Sequence, residues 1–364
     1  KYGPDATRWY MITNANPWDN LKFDIEGVAE TQRKFFGTFH NTYNFFALYA
    51  NLDNFDNSEA QIDLAKRTES DRWILSKLHT LIGKVDAAFD DYDLTKGGRL
   101  IQGFVTDDLS NWYIRQNRKR FWMGEYNEDK KAAYQTLAEC LSTVAKLGSI
   151  IAPFYFDKVY QDLNAVIKYD ALDSIHLSDF PVVNESYVDE ELEARMDMAQ
   201  RTSSLVHSLR KGEKLKVRQP LAKVMVPVLN AKAKARIEAM ADLIKNEVNV
   251  KEIEYLDESS TVLVKRVKAN FKTLGKKFGK QMKALAGVIA QMSQEQITQA
   301  EQDGKIELPL DGNNVELSIE DLEINFQDIP GFLVASDGEL TVALDITLTD
   351  ELCQEGIARD IVNR

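Results

Sequence analysis

Cysteine is nearly absent: Cys140 and Cys353 are the only two in 364 residues, far apart and with neither a CxxC spacing nor a nearby histidine. That excludes a disulfide framework and argues against a structural zinc site, leaving two inert, partly buried thiols. No run of about eighteen uncharged apolar residues occurs, and residues 1–10 contain no apolar signal-peptide core. Neither a membrane span nor secretion is indicated, and the cytoplasm is the expected address. Histidine is scarce as well, and His40, His79, His176 and His207 stand apart from one another and from any HExxH pattern, so packing or surface roles are expected for all four. Catalytic signatures are missing. The nearest approach to a phosphate loop, Gly275-Lys276-Lys277-Phe278-Gly279-Lys280, has three residues between its glycines instead of four and continues with Gln281 instead of Ser or Thr. Carboxylate pairs such as Asp90-Asp91 and Asp107-Asp108 lack companions and read as helix-end or solvated-face residues. No catalytic residue and no metal ligand is therefore expected.

What the chain does have is length and apolar content. With 44% hydrophobic residues in 364 it can bury a sizeable core and build two or three domains. Its net charge of −12 speaks against general binding to nucleic acid. The distribution says more than the sum. Residues 201–283 hold 20 Lys/Arg and 8 Asp/Glu, a local +12, so the remainder carries −24. A second basic knot, Arg115, Arg118, Lys119 and Arg120, lies in the acidic half, a pattern that fits directed binding.

The first half reads as helices. Ile74, Leu78, Leu81, Ile82, Val85, Phe89 and Tyr92 recur at three- and four-residue steps, which predicts a core-facing helix over about 70–91 with Ser70 and Asp71 supplying its N-terminal cap. Similar patterns predict helices over 24–49, over 94–122 despite Gly97, Gly98 and Gly103, and over 129–167 with an interruption at Pro153. Such helices joined by short loops make a bundle. Residues 169–185 lack periodicity and read as a linker. Beyond them the character turns mixed. Residues 190–211 are predicted helical, 223–229, 250–256 and 261–267 are β-branched runs, and 231–246 is a helix that makes a strand–helix–strand unit with the first two. A helix over 293–304 and strands over 306–310, 315–317, 322–326, 332–335 and 340–346 follow, several separated by Asp-Gly or Gly-Asn turn signals. The fold class is an all-α helix bundle followed by a mixed α+β domain.

One segment combines aromatics with cations. At 100° per residue Asp108, Asn111, Arg115, Arg118, Lys119 and Trp122 share a stripe, while Leu109, Trp112 and Ile114 turn partly toward the bundle. Guanidinium forks pair with phosphates and stack on bases, and indole rings receive bases splayed from a loop, the chemistry by which single-stranded RNA is read. The residue types equally admit a structural role, with Trp112 and Trp122 in the core and Asp107 and Asp108 pairing with the arginines.

Asp108-Leu109-Ser110-Asn111-Trp112-Tyr113-Ile114-Arg115, followed by Arg118 and Phe121-Trp122, resembles the signature helix of the anticodon-binding bundle in the class Ia aminoacyl-tRNA synthetases for isoleucine, valine, leucine and methionine. Tyr2-Gly3-Pro4-Asp5-Ala6-Thr7-Arg8-Trp9-Tyr10 is similar to the run that follows the KMSKS loop there, with Thr7 in place of the usual Leu. Pro17-Trp18-Asp19-Asn20-Leu21-Lys22-Phe23, Arg33-Lys34-Phe35-Phe36-Gly37-Thr38 and Asn41-Thr42-Tyr43-Asn44-Phe45-Phe46-Ala47-Leu48-Tyr49-Ala50 narrow the likeness to the isoleucyl-tRNA synthetases. In the tail, Val217-Arg218-Gln219-Pro220-Leu221, Asn270-Phe271-Lys272-Thr273-Leu274-Gly275, Asp337-Gly338-Glu339-Leu340-Thr341-Val342-Ala343-Leu344-Asp345 and Glu355-Gly356-Ile357-Ala358-Arg359 resemble the eukaryote-like branch of that family, whereas valyl enzymes end in a coiled coil. The bacterial branch ends in a zinc-bound cysteine cluster, which two scattered cysteines rule out, so the resemblance points to the zinc-free branch.

The resemblance implies a fragment downstream of a catalytic domain whose HIGH and KMSKS motifs, absent here, bind ATP and Mg2+ and activate isoleucine, and downstream also of an editing domain. The expected partners are the anticodon stem-loop of isoleucine tRNA and that upstream domain of the same chain, with no DNA or membrane and a monomeric state. Residues 1–22 would be a stem-contact remnant, 23–180 the anticodon-binding domain and 181–364 the α+β domain. Expected tRNA contacts are Arg115, Arg118, Lys119, Arg120 and Trp122, together with a phosphate-tracking run of Lys265, Arg266, Lys268, Lys272, Lys276, Lys277 and Lys280. The alternative from a different class is an acidic helical scaffold whose basic segments bind protein partners.

Overall fold

Helical periodicity in the first half becomes one aromatic-rich bundle. In the computed structural model, which describes residues 1–168, 172–227, 231–256, 265–310, 313–326, 331–337 and 340–363, the chain divides into two units, Lys1–Met196 and Asp197–Arg364. The helix Glu69–Asp90 lies where the three- and four-residue steps place it, but its cap is Thr68, whose Oγ1 accepts the Asp71 amide. Asp71 is drawn instead into the interior, 0% exposed. Helix Glu128–Gly148 and helix Pro153–Ile167 break at Pro153, whose missing N–H is tolerated in a first helical turn.

The long helix over 24–49 is three pieces in one rod: Ile25–Thr31, a π-helical turn Gln32–Phe36, and Gly37–Leu52. The wider turn lets the adjacent Phe35 and Phe36 both turn inward, which a regular α-helix at 100° per residue opposes. Phe35 stacks on Trp9 at 4.1 Å between centroids, and Phe156 packs at 5.3 Å from Phe39. Trp9 belongs to a helix, Gly3–Asn14, and is fully buried. Asp5, Ala6, Trp9 and Tyr10 of this helix are buried within the first unit. The end of the supposed linker and the residues after it are tied to the bundle: the Asn184 amide donates to His79 Nδ1 (3.1 Å), the Asp189 amide to Ser76 Oγ (2.8 Å), and Ser76 and Thr80 hydroxyls to Glu193 (2.6 and 2.7 Å). Polar side chains take over the anchoring role that hydrophobic periodicity would have advertised, so the first unit reaches Met196. Residues 169–171 lie outside the described ones.

The second unit contains eight described strands: β1 Leu221–Pro227, β2 Val250–Leu256, β3 Lys265–Ala269, β4 Lys305–Leu310, β5 Asn313–Ser318, β6 Leu322–Phe326, β7 Phe332–Asp337 and β8 Leu340–Asp345. β1 and β2 pair in parallel through a crossover, as the strand–helix–strand reading expects, although the crossover is two helices, Ala231–Ala239 and Ala241–Val248, separated at Met240. They form a four-stranded sheet in the order β2-β1-β8-β7. β4 pairs antiparallel with β5, and β3 with β6. In β4, Ile306, Leu308 and Leu310 point inward while Lys305, Glu307 and Pro309 face out, the period of two that made the strand legible. These residues share a core with Leu274, Leu285, Ile289, Ile297 and Leu317. The helices Phe271–Phe278, Met282–Ala290 and Asp350–Asn363 are not foreseen by the sequence reading. Gly275 and Gly287 lower the helix propensity inside the first two of these helices, and Gly279 lies in the turn between them. The expected strand over 261–267 lies outside the described residues up to 264 and is seen as β3 from Lys265.

Candidate nucleic-acid interface

The cationic helix of the first unit is continuous from Leu94 to Trp122 but changes pitch on the way. Leu94–Gly103 is α-helical, Phe104–Ile114 winds as a π-helix, and Arg115–Trp122 returns to α. Wide turns of this kind occur where packing or function overrides the regular ladder. Here they bring Leu109, Trp112, Tyr113 and Ile114 to the interior together, and Asn117 and Phe121 continue the buried side. Trp112 donates its indole N–H toward Met196 Sδ at 3.1 Å, so its ring is core. Phe121 packs edge-on against Phe45 and Tyr134 at 5.1 and 5.2 Å.

The opposite side is exposed. Asn111, Arg115, Arg118, Lys119 and Trp122 face solvent, and Trp122 is 56% exposed. Arg115 is ordered by its own helix: Nε donates to the Asn111 carbonyl at 2.7 Å and the guanidinium lies 5.7 Å from the Trp112 ring. Asp108 is taken by Lys77 at 3.5 Å. The predicted stripe is therefore present from Asn111 onward as cations, an amide and an indole on one face of a rigidly held helix. Such a face can bind phosphate oxygens and stack bases.

Arg120 belongs to the other side, against expectation. Its Nη1 and Nη2 grip the two oxygens of Asp71 at 2.8 and 2.7 Å, Nε and Nη2 hold Asp129 at 3.0 and 2.7 Å, and Nη1 also reaches Asn117 Oδ1 at 3.1 Å. A guanidinium has five N–H groups, and these contacts use them all, leaving none for a phosphate. Burial would lower its pKa, but the bonds to Asp71 and Asp129 outweigh it and raise the value. Asp71 also receives the Tyr113 hydroxyl at 2.6 Å and the Thr68 hydroxyl at 2.8 Å. Burial first, and the Asp71 carboxylate second, push the Tyr113 phenol well above its ordinary range. Arg120 is the clamp that fixes the helix, its donors spent on Asp71, Asp129 and Asn117. Sequence reasoning missed Asp71 as its partner, because a carboxylate in the first turn of a helix looks like any capping acid.

In the second unit Arg266 and Lys268 project from the exposed face of β3, while Val267 and Ala269 alternate into the core. Lys277 is exposed and reaches Asp321 at 3.3 Å. The side chains of Lys265, Lys272, Lys276 and Lys280 lie outside the described ones. Among the described residues, no three His, Cys, Asp or Glu side chains gather as a metal site, and no helix is long and apolar enough to cross a membrane. Cys140 is buried and Cys353 half-buried.

Residues 71–226 match the family described as the anticodon-binding domain of tRNA ligase. Over its whole length the chain is 62% identical to an isoleucine–tRNA ligase of Cytophaga hutchinsonii, 57% to that of Bacteroides thetaiotaomicron and 38% to that of Clostridium novyi. It spans 33%, 31% and 34% of those proteins, about a third of each. Homology covers both units, and the matched domain contains the cationic helix and its Asp71–Arg120 clamp. Over its whole length the chain is therefore similar to about a third of the isoleucine–tRNA ligases, and residues 71–226 within it match the anticodon-binding domain of tRNA ligase.

Proposed function

We propose that this chain is the part of an isoleucine–tRNA ligase that grips the anticodon stem-loop of isoleucine tRNA while the acceptor end is charged elsewhere. In this reading the whole protein attaches isoleucine to tRNA using ATP and Mg2+, held by a catalytic domain upstream, and works as a cytoplasmic monomer. The chain's own contribution is recognition. The observation that carries it is the exposed face of Asn111, Arg115, Arg118, Lys119 and Trp122 on a helix whose other side is fixed by Tyr113, Asn117 and Arg120. A fixed helix loses little conformational freedom when its side chains meet an unpaired loop, so more of the contact energy goes into discrimination. Trp122 supplies a stacking plane, Arg118 and Lys119 supply charge, and Arg115 and Asn111 supply hydrogen bonds at base edges. Arg266 and Lys268 are assigned to phosphates, together with Lys265, Lys272, Lys276, Lys277 and Lys280.

The test is equilibrium binding of the full-length ligase to isoleucine tRNA with its natural anticodon and with an altered one. Arg118→Ala should weaken the natural complex by about 1–3 kcal/mol and narrow the gap between the two tRNAs, and Trp122→Ala should act in the same direction by a similar amount. An acidic scaffold for protein partners would show no anticodon dependence in either protein, and that result would remove the proposal.

A further inference from the structure

A second fixed cationic element lies in the other unit, and it is organised by a buried arginine. Arg210, near the end of the helix Glu190–Gly212, is 1% exposed. Among the described residues it has no carboxylate partner. Nη1 donates to the carbonyls of Lys216 and Gln219 at 3.1 and 2.9 Å, Nη2 to the carbonyl of Asn249 at 3.0 Å, and Nε is buried without a partner. Burial with no counter-charge pushes this guanidinium down to about 10. Replacing it with an apolar side chain and a looser loop would be the simpler way to make a stable domain, because a buried charge satisfied only by carbonyl dipoles is a costly anchor.

What the anchor secures is the backbone of residues 211–218. Lys214 takes a left-handed conformation (φ 57°), which ends the helix. The Leu215 amide donates to the Arg210 carbonyl at 2.8 Å, the Gln219 amide to the Lys216 carbonyl at 3.0 Å, and Asn249 Nδ2 to the Val217 carbonyl at 2.9 Å. The carbonyls of Lys216, Val217 and Gln219 are thus all taken by Arg210 and Asn249, while the side chains of Lys211, Lys214, Lys216 and Arg218 are exposed. Two carboxylates accompany them: Glu213, exposed, and Asp360, which stands 3.3 Å from Lys216 and 3.7 Å from Arg218. The four cations of this pinned eight-residue segment outnumber the two carboxylates named beside them.

We infer that loop 211–218 is a preformed grip on the sugar–phosphate backbone of tRNA, away from the anticodon bases. The inference rests on the tRNA-binding reading above and assigns it a second surface. The loop has the chemistry of backbone contact and lacks that of base reading: three of its four cations are lysine ammoniums, point charges on flexible stems, and it contains no aromatic ring. Pinning the backbone through Arg210 holds the charges together before the polyanion arrives, so counterion release is the gain on binding and ordering the loop is not an added cost.

The experiment uses the full-length ligase with Lys211, Lys214 and Lys216 all changed to Gln, three exposed positions whose substitution should leave the thermal midpoint in place, since the one surface pair lost, Lys216–Asp360, contributes little. Binding to isoleucine tRNA is followed from 50 to 300 mM KCl. Loss of three phosphate contacts should flatten the slope of log K against log salt by about 2 and raise Kd at 150 mM roughly tenfold, equally for natural and altered anticodons. An unchanged slope and Kd, with Arg118→Ala still weakening the natural complex, overturns this inference and leaves the anticodon face standing. A loss confined to the natural anticodon overturns it too, because that is base reading. If the triple variant instead loses affinity for phosphatidylserine vesicles while tRNA binding is untouched, the loop serves a membrane and the inference fails. If neither the triple variant nor Arg118→Ala alters tRNA binding, the anticodon reading falls with it.

Discussion

Arg120→Met is the perturbation that separates the clamp from the contact face. It removes two charge-assisted hydrogen bonds from Asp71, a carboxylate with no exposed surface, and leaves it only the hydroxyls of Tyr113 and Thr68. The outlying bonds to Asp129, half exposed, add little. Breaking one side of a buried pair leaves an uncompensated charge, so the expected loss is about 3–5 kcal/mol, against less than about 1 kcal/mol for a surface pair. Pairing the change with Asp71→Asn removes the stranded charge, keeps a carbonyl acceptor for one hydroxyl and offers an N–H donor to the oxygen of the other, which should restore all but about 1–2 kcal/mol. All five tryptophans lie in the first unit, at positions 9, 18, 73, 112 and 122. Tryptophan fluorescence during urea unfolding therefore reports on this unit selectively. A single-variant loss under about 1 kcal/mol, or a double variant as unstable as the single one, would refute the assignment of Arg120 to the interior.

Gly148→Ala should destabilise the first unit by about 1–3 kcal/mol in the same unfolding assay, because an added Cβ would run into the ring of the fully buried Phe156; an unchanged midpoint would show that the ring can yield. In the second unit, burial works against the charge of Asp321, yet the Thr273 hydroxyl, the Ser318 amide and hydroxyl and the Lys277 ammonium hold its carboxyl below the ordinary value of 3.8. Its contribution to stability is complete above that value and is lost as pH falls through the lower folded one, so Asp321→Asn should lower stability at pH 6 and lose that group's share of the acid sensitivity below about pH 4. Thermal denaturation at pH 3 and pH 6 checks this, and an equal pH dependence in both proteins would count against it.

Much of the architecture is local information, and local information is what a sequence carries. The three- and four-residue steps from Ile74 to Phe89 produce the helix Glu69–Asp90, and the alternation of Ile306, Leu308 and Leu310 produces β4. The stripe of Asn111, Arg115, Arg118, Lys119 and Trp122 is legible for the same reason, since a helix face follows from spacing alone. Spacing sets Arg120 off that stripe, roughly across the helix from Arg118, but does not say what it meets there. Only the tertiary structure decides that, because the partner that draws Arg120 inward is Asp71, 49 residues earlier. Distance in sequence likewise hides the anchoring of the non-periodic stretch before Met196, which Ser76, His79 and Thr80 hold by hydrogen bonds. It hides too the carbonyls of Lys216, Gln219 and Asn249 around Arg210. Residue type and spacing determined which elements form and which face carries charge. Which charges are used up inside, and which remain for a ligand, depends on contacts between residues far apart in the chain, and those exist only once the chain has folded.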